Sequence, residues 1–224
     1  MKDWSLSRQG ALHEVLSQCD KIMVVAHPDD EVLWGGLTLA REPGWGVLCL
    51  TNASTEDRKR AMARAMEVLD CRWQIFDIPD RRTKEPSDED RSQIRSLLQP
   101  VFESNVSSIL THSPDGETGH RLHVAISDVA SELAGERPLS YFSFDPAFDA
   151  ELAEPQAWAR KVSAMQEYFG DLRSMSGNDA LHVKLSRHER PVTADEYRRP
   201  NELLRRIYGG SSVPAGSIEK GRDE

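Results

Sequence analysis

The sequence predicts an α/β protein: a mostly parallel sheet with helices on both faces, in three layers. Two observations favour this class. Short apolar runs alternate with longer amphipathic stretches along the 224-residue chain, as in strands joined by helical crossovers. No linker rich in Pro, Gly or Ser interrupts the middle of the chain. Because a chain of this length can bury one large core, we expect a single domain over residues 1–208 and a disordered tail over 209–224.

The elements at the start of the chain follow from its apolar runs. KIMVVAH (21–27) predicts a buried strand, and EVLWGGLTLARE (31–42) predicts a helix with Asp29 or Asp30 near its N-cap. The glycines of WGG suit a helix that approaches the sheet closely. GVLCLTN (46–52) predicts the second strand.

The middle of the chain continues the alternation. TEDRKRAMARAMEVLD (55–70) predicts a helix, WQIFDI (73–78) a third strand, and SDEDRSQIRSLLQPVFESN (87–105) a helix with an acidic first turn, which the helix dipole favours. The first of these helices places four apolar residues on one face: Ala61, Ala65, Val68 and Leu69.

The later elements are less uniform. Two further strands are predicted at 107–113 and 139–144. Each is followed by a predicted helix, at 123–134 and at 156–169. After them, LHVKL (181–185) suggests a strand and residues 193–208 suggest a helix. An amphipathic helix is also expected at the N-terminus, with His13 on its surface.

Composition restricts the classes of function. The formal net charge of −9 argues against a nucleic-acid partner, because phosphate backbones require basic surfaces. No apolar run approaches the length of a membrane span, and the polar N-terminus does not resemble a signal peptide. Cys19, Cys49 and Cys71 show no paired spacing, which argues against a disulfide framework or a thiolate zinc site. We therefore expect a cytoplasmic protein, and leave a homo-oligomer open.

The stretch AHPDDEVLWGG (26–36) places three adjacent carboxylates directly after a strand. Their repulsion calls for compensation, and a divalent cation would supply it. His27 and Asp30 are three positions apart and can face one point across a turn that Pro28 stiffens. Imidazole and carboxylate suit zinc or a similar ion, whereas Glu31 is expected to contact the backbone or a ligand histidine.

A second cluster, THSPDGETGHRLH (111–123), also follows a predicted strand. Its His120 and His123 lie three positions apart, so they share one side if a helix begins there. Together the clusters offer a His–Asp–His set with an open position, which is typical of catalytic zinc and metal-assisted hydrolysis. Taken alone, each cluster has a simpler interpretation, as a helix N-cap or a surface helix start. The role of His112 is open between support of the site and packing.

These two motifs resemble those of the PIG-L/LmbE family of metal-dependent de-N-acetylases. VVAHPDDEVLWGG is similar to the family's N-terminal signature, and THSPDGETGHRLH is similar to its second motif, a strand, a loop and GHxxH. The resemblance covers residues 20 to about 200. It implies a Rossmann-like fold and the hydrolysis of N-acyl groups on amino sugars or related conjugates, which makes the expected partner a small N-acylated molecule.

The resemblance also implies roles for individual residues. The metal ligands would be His27, Asp30 and His123. Asp29 would be the general base for water, and His120 would stabilise the oxyanion or donate a proton to the leaving amine. Substrate contacts would come from Arg58 and Asp80. The expected cofactor is Zn²⁺, although the same ligands also accept Fe²⁺, Co²⁺ or Ni²⁺.

The chain departs from the family pattern at several positions. Ala61 stands where the family commonly has glutamate, Asp70 where it has glycine, and Thr118 where it often has tyrosine. HRLH also replaces HPDH, so an aspartate that could orient a histidine is absent from that spot. These departures keep open a sugar-binding protein that has lost catalysis. The acidic strand end leaves a second alternative, a Mg²⁺-dependent phosphoesterase on the same fold.

Overall fold

A computed structural model describes residues 3–80, 85–193 and 196–197. Among them, six strands form one sheet in the order β3-β2-β1-β4-β5-β6. Strands β1 to β5 run parallel, and β6 pairs antiparallel with β5. The strands are β1 (Lys21–Val25), β2 (Trp45–Cys49), β3 (Arg72–Ile75), β4 (Ser108–Thr111), β5 (Leu139–Tyr141) and β6 (Val192–Thr193).

Helices cover both faces of this sheet. The described α-helices are α1 (Asp3–Gln18), α2 (Asp30–Trp34), α3 (Gly36–Arg41), α4 (Glu56–Leu69), α5 (Asp88–Glu103), α6 (Gly116–Gly119), α7 (Arg121–Ala134), α8 (Ala150–Ala153), α9 (Pro155–Phe169) and α10 (Gly177–Leu185). Two short 3₁₀ helices lie at Leu172–Ser174 and Ser186–His188. None of the helices in the described residues is both long and apolar enough to cross a bilayer.

Two apolar clusters, one on each face of the sheet, confirm the predicted three layers. In β1, Ile22 and Val24 pack with α1, α5 and α7. Met23 and Val25 pack on the opposite face with α4 and α9, as the alternation of side chains along a strand requires. The predicted fold class is therefore confirmed, and the five strands predicted between residues 21 and 144 all form. Each is shorter than predicted, and β2 and β3 begin one residue earlier.

The predicted helix over 31–42 forms as two pieces that break at Gly35. A Cβ at Gly35 would lie 2.4 Å from the Met23 side chain, and one at Gly36 would lie 3.0 Å from Lys161. The two glycines therefore let this segment lie against the sheet, as predicted. In α4 the buried face holds Ala61, Met62, Ala65, Met66 and Leu69, while Val68 is half-buried.

The C-terminal predictions need one correction. LHVKL (181–185) is not a strand but the end of α10. Alternation over five residues is too short to separate the two structures, and the sheet edge beside β5 is occupied instead by Val192–Thr193. Thr193 therefore lies in a strand, and the rest of the helix predicted over 193–208 lies almost wholly outside the described residues, as does the tail over 209–224.

A buried ion pair between Lys161 and Glu189 connects the later part of the chain to the break between α2 and α3. The side chains of Lys161 and Glu189 are both fully buried, and Lys161 Nζ lies 2.6 Å from Glu189 Oε2. Lys161 also donates to the carbonyl groups of Leu33 and Ser186. Burial lowers the pKa of Lys161, and Glu189 opposes that shift.

Glu189 uses its remaining acceptor capacity at the start of α3. It accepts hydrogen bonds from the backbone N–H groups of Leu37 and Thr38 and from the Thr38 hydroxyl. The pair is thus fully hydrogen-bonded, and it fixes the position of the helix that follows the HPDDE motif.

Removal of one partner of this pair should destabilise the protein strongly. We expect Lys161→Met to lower the free energy of unfolding by about 3–5 kcal/mol, because it leaves the Glu189 carboxylate buried without a countercharge. Urea unfolding monitored by circular dichroism measures the change. Arg95→Met, which removes the exposed pair with Glu132, is the matched control and should cost less than about 1 kcal/mol. Equal costs for the two variants would contradict this account of the pair.

Candidate metal centre

The predicted site residues meet at the carboxyl edge of the parallel strands. His27 follows β1, Asp80 follows β3, and His112 follows β4 directly. Because parallel strands end at the same edge, their following loops converge, which is where such sheets bind ligands. Asp29 and Asp30 stand at the start of α2.

Three donor atoms form a nearly equilateral triangle. Asp30 Oδ2 lies 3.2 Å from His27 Nδ1 and 3.2 Å from His123 Nε2, and the two nitrogens are 3.1 Å apart. A tetrahedral zinc ion with bonds of about 2.1 Å separates its ligand atoms by about 3.4 Å. The triangle therefore fits a divalent cation, and it joins the three residues predicted as ligands.

Carboxylates hold both histidines in the orientation that this triangle requires. Asp80 Oδ2 lies 3.0 Å from His27 Nε2, and Glu117 Oε2 lies 2.8 Å from His123 Nδ1. A carboxylate on the far nitrogen fixes the tautomer and leaves the near nitrogen as a lone-pair donor. The Trp34 indole donates to Asp30 Oδ1 at 3.0 Å and the backbone N–H of His27 donates to Oδ2 at 2.8 Å, which together hold Oδ2 toward the two imidazoles.

Glu117 is a functional candidate that the sequence analysis missed. It is fully buried, and its φ of 56° is in the left-handed region. Its carboxylate also contacts His112 Nδ1 at 2.8 Å and accepts the N–H of Ser113 at 2.7 Å. Glu117 thus supplies the orienting carboxylate that the HRLH sequence was expected to lack. The signal in the sequence that could have identified it is a glutamate within GETGH, close to the two histidines of the second motif.

His112 supports the site but has no free ring nitrogen to bind a cation, because both nitrogens have hydrogen-bond partners. Its Nε2 accepts the backbone N–H of Ala26 at 2.8 Å, so the proton lies on Nδ1, toward Glu117. Its ring stacks on His123 with centroids 3.8 Å apart. Asp30, His112 and His123 do cluster closely enough to hold an ion, but the hydrogen bond from Ala26 occupies the lone pair that His112 would need.

The electrostatics of the triangle favour positive charge. Burial opposes protonation of His123, but Asp30 and Glu117 outweigh it and raise its pKa to about 10. Burial also acts on Asp30, yet His123 and His27 hold the Asp30 pKa well below its usual range. His27, opposed by burial but aided by Asp30 and Asp80, has a pKa raised to about 8. The buried carboxylates of Asp30 and Glu117 thus stabilise positive charge at this position.

Asp29 lies beside the triangle, close enough for Asp30 and His27 to act on the charge of its carboxylate. Its Oδ2 accepts a hydrogen bond from Arg58 Nη2 at 2.9 Å, and its backbone N–H donates to Glu31 Oε2 at 3.0 Å. Its φ of 128° is unusual for a non-glycine residue. Burial and the neighbouring Asp30 raise the Asp29 pKa to about 6, and Arg58 limits the rise. Glu31 contacts the backbone, as one of its two predicted roles required.

His120 lies next to the triangle. Its ring meets that of His27 edge-on at 4.7 Å, and its Nδ1 has no hydrogen-bond partner among the described residues. Burial and the nearby His123 and His27 lower its pKa to about 4, so it is neutral near pH 7. His27, His120 and His123 also lie close enough to share an ion, which leaves His120 a ligand candidate as well as a catalytic one.

The two residues predicted to contact substrate have protein partners. Arg58 pairs with Asp29 and lies over the ring of Tyr168 at 5.9 Å, and Asp80 contacts His27. Their role in substrate binding stays a prediction.

Comparison with known proteins finds a family and several solved structures that this chain is similar to. The model of the GlcNAc-PI de-N-acetylase (PIG-L) family matches residues 22–134, which contain both motifs. An uncharacterized protein, L374, of Acanthamoeba polyphaga mimivirus is 31% identical over 133 residues, or 52% of this chain and 58% of that protein. The match thus spans little more than half of the relative's length.

Solved structures of low sequence identity share the fold. The zinc-inhibited form of teicoplanin deacetylase Orf2 superposes with a TM-score of 0.58 at 13% identity, over 79% of this chain and 100% of that chain. The N,N'-diacetylchitobiose deacetylase of Pyrococcus horikoshii superposes with a TM-score of 0.55 at 13% identity, over 88% of this chain and 96% of that chain.

Loss of the Glu117 carboxylate should weaken metal binding. We expect Glu117→Gln to lower the affinity for Zn²⁺ by about 10- to 100-fold, because the orienting partner of His123 is lost. Competition with a chromogenic chelator measures the affinity. Asp128→Asn, on the same helix as His123 but paired with Arg91 at the surface, is the control and should bind as the wild type does. An unchanged affinity in Glu117→Gln would contradict the orienting role.

Proposed function

Because the chain belongs to the GlcNAc-PI de-N-acetylase (PIG-L) family, we propose that it is a metal-dependent hydrolase that removes an N-acyl group, in the first instance acetyl, from an amino sugar or sugar conjugate. The observation that carries the proposal is the triangle of His27, Asp30 and His123 with the carboxylate of Asp29 beside it. This combination offers a cation site and a separate base, which amide hydrolysis requires.

In this proposal His27, Asp30 and His123 hold the cation, while Asp80 and Glu117 orient the two histidines. A divalent cation bound there would polarise the acyl carbonyl group and lower the pKa of water to about 7. Zn²⁺ is our first candidate, and Fe²⁺, Co²⁺ and Ni²⁺ are accepted by the same donors. The zinc-inhibited form of the Orf2 deacetylase is a reason to test all four.

Asp29 is the proposed general base. It takes a proton from the water molecule that adds to the acyl carbon, and its ion pair with Arg58 keeps the carboxylate in one place. The raised pKa of about 6 makes it a better base than an exposed aspartate while leaving it mostly ionised near pH 7. The C–N bond then breaks, and the proton goes to the leaving amine.

His120 is the proposed partner of the oxyanion. A neutral imidazole keeps one N–H that can donate to the negative oxygen that develops on the acyl group. Its Nδ1 is buried without a partner among the described residues, so the ring is not committed to another hydrogen bond on that side. A single donor of this kind is typically worth about 10²–10³ in rate.

The substrate class rests on the family and on the fold neighbours. The family description names a de-N-acetylase of a GlcNAc conjugate, and one neighbour is a deacetylase of N,N'-diacetylchitobiose. We propose that N-acetylglucosamine derivatives are the first compounds to test, with Arg58 as a contact for the substrate.

Cys19, Cys49 and Cys71 are all free thiols, which supports our placement of the enzyme in the reducing cytoplasm.

Two other functions define the alternative outcomes. A Mg²⁺-dependent phosphoesterase is disfavoured because two of the three donor atoms are imidazole nitrogens, and Mg²⁺ prefers oxygen. A sugar-binding protein without catalysis would bind N-acetylated sugars tightly but release no acetate. Incubation of metal-loaded protein with N-acetylated glycosides and phosphate monoesters, with assays for acetate and phosphate, separates the three functions.

The role of Asp29 can be tested by one conservative change. We expect Asp29→Asn to lower kcat by about 10²–10⁴, because the base is lost, while the metal content stays that of the wild type. Acetate release and elemental analysis on the same sample measure both. Asp57→Asn, which removes an exposed carboxylate that pairs with Arg60, is the control and should keep full activity. Full activity in Asp29→Asn would rule out the proposed base.

A further inference from the structure

Asp29 is held by two groups that come from different parts of the chain. Glu31 accepts its backbone N–H, and Arg58 donates to its carboxylate. The first contact engages the backbone of a residue whose φ of 128° is unusual, and the second engages its side chain. What holds Glu31 and Arg58 therefore decides where the proposed base lies.

Tyr168 contacts both of these groups. Its hydroxyl donates to Glu31 Oε1, on the carboxylate whose other oxygen accepts the Asp29 N–H. Its ring faces the guanidinium of Arg58 at 5.9 Å, within the distance at which a cation is attracted to an aromatic face. One side chain thus supports the backbone contact and the side-chain contact of Asp29.

The position of Tyr168 makes ordinary packing an incomplete explanation. The residue as a whole is half-buried, but its hydroxyl end lies inside the protein. There the hydroxyl donates to Glu31, a carboxylate that is fully buried. Tyr168 lies near the end of α9, a helix that packs on α2, α3 and α4 and stands outside the segment matched by the family model.

We propose that Tyr168 is a positioning residue for Asp29, which it acts on through Glu31 and Arg58. The proposal rests on the proposed function insofar as Asp29 is taken to be the catalytic base. The position of the Asp29 side chain can be measured whether or not the protein is a hydrolase. Tyr168 does not contact the donor atoms of the triangle. Its removal should therefore affect the base and leave the cation in place.

The test variant is Tyr168→Phe, which keeps the ring over Arg58 and removes the hydroxyl bond to Glu31. Tyr141→Phe is the matched control, because its hydroxyl contacts Ser131 at 2.7 Å and none of the residues that hold Asp29. Crystal structures of both variants and of the wild type give a readout that needs no activity. In Tyr168→Phe we expect the Asp29 carboxylate to leave Arg58 or to occupy more than one position. An Asp29 superposable on the wild type would overturn the proposal.

Kinetics on the metal-loaded proteins add a second readout. We expect kcat of Tyr168→Phe to fall by about 10- to 100-fold, the scale for a slightly misplaced catalytic group, with KM within about twofold of the wild type. Metal content should be unchanged, and Tyr141→Phe should keep the wild-type kcat. A wild-type kcat in Tyr168→Phe, or a loss that follows metal content, would overturn the proposal.

A double variant tests the route through Glu31. If Tyr168 acts through this carboxylate, Glu31→Gln combined with Tyr168→Phe should lower kcat by less than the product of the two single effects. Multiplicative effects would overturn the route. If the metal-loaded wild type hydrolyses none of the N-acetylated compounds, the proposed function fails, and the crystal structures still decide the position of Asp29.

Discussion

The imidazole of His123 lies between two buried carboxylates, Asp30 and Glu117, and the arrangement of the site depends on this contact. Asp30 opens α2, after β1, and Glu117 lies in the short helix α6, after β4, so His123 joins the two motifs. Burial of two carboxylates is costly unless positive charge compensates them. A protonated imidazole compensates them in the protein alone. A divalent cation at the triangle would do so with the histidine as its ligand.

The fold provides this contact in two ways. The parallel pairing of β1 with β4 brings the two loops to the same edge, and the glycine break after α2 lets the HPDDE segment lie against the sheet. The Lys161–Glu189 pair then fixes the start of α3 from the opposite end of the chain. Fully hydrogen-bonded pairs of this kind hold a segment in one orientation, although they add little net stability compared with apolar packing.

The sequence predicted the parts of this structure that depend on local pattern. Strands and long helices follow from apolar periodicity. The candidate ligands follow from strand ends and two short motifs, and the family resemblance singled out His123 from His120. Glu117 and Tyr168 could not be found in this way, because their importance comes from contacts with residues far along the chain or across a loop with an unusual φ. LHVKL was wrongly predicted as a strand for a related reason: whether it joins the sheet depends on which segment occupies the edge beside β5. Asp80 was predicted at the correct edge, but its contact with His27 required the fold.

The most direct test of the central claim is a crystal structure of the protein loaded with Zn²⁺, with anomalous diffraction recorded at the zinc edge. The account predicts one strong peak bonded to His27 Nδ1, Asp30 Oδ2 and His123 Nε2, at about 2.0–2.2 Å from each, with the Glu117 carboxylate still on His123 Nδ1. A peak bonded to other side chains, or no peak at the triangle in protein saturated with zinc, would contradict it.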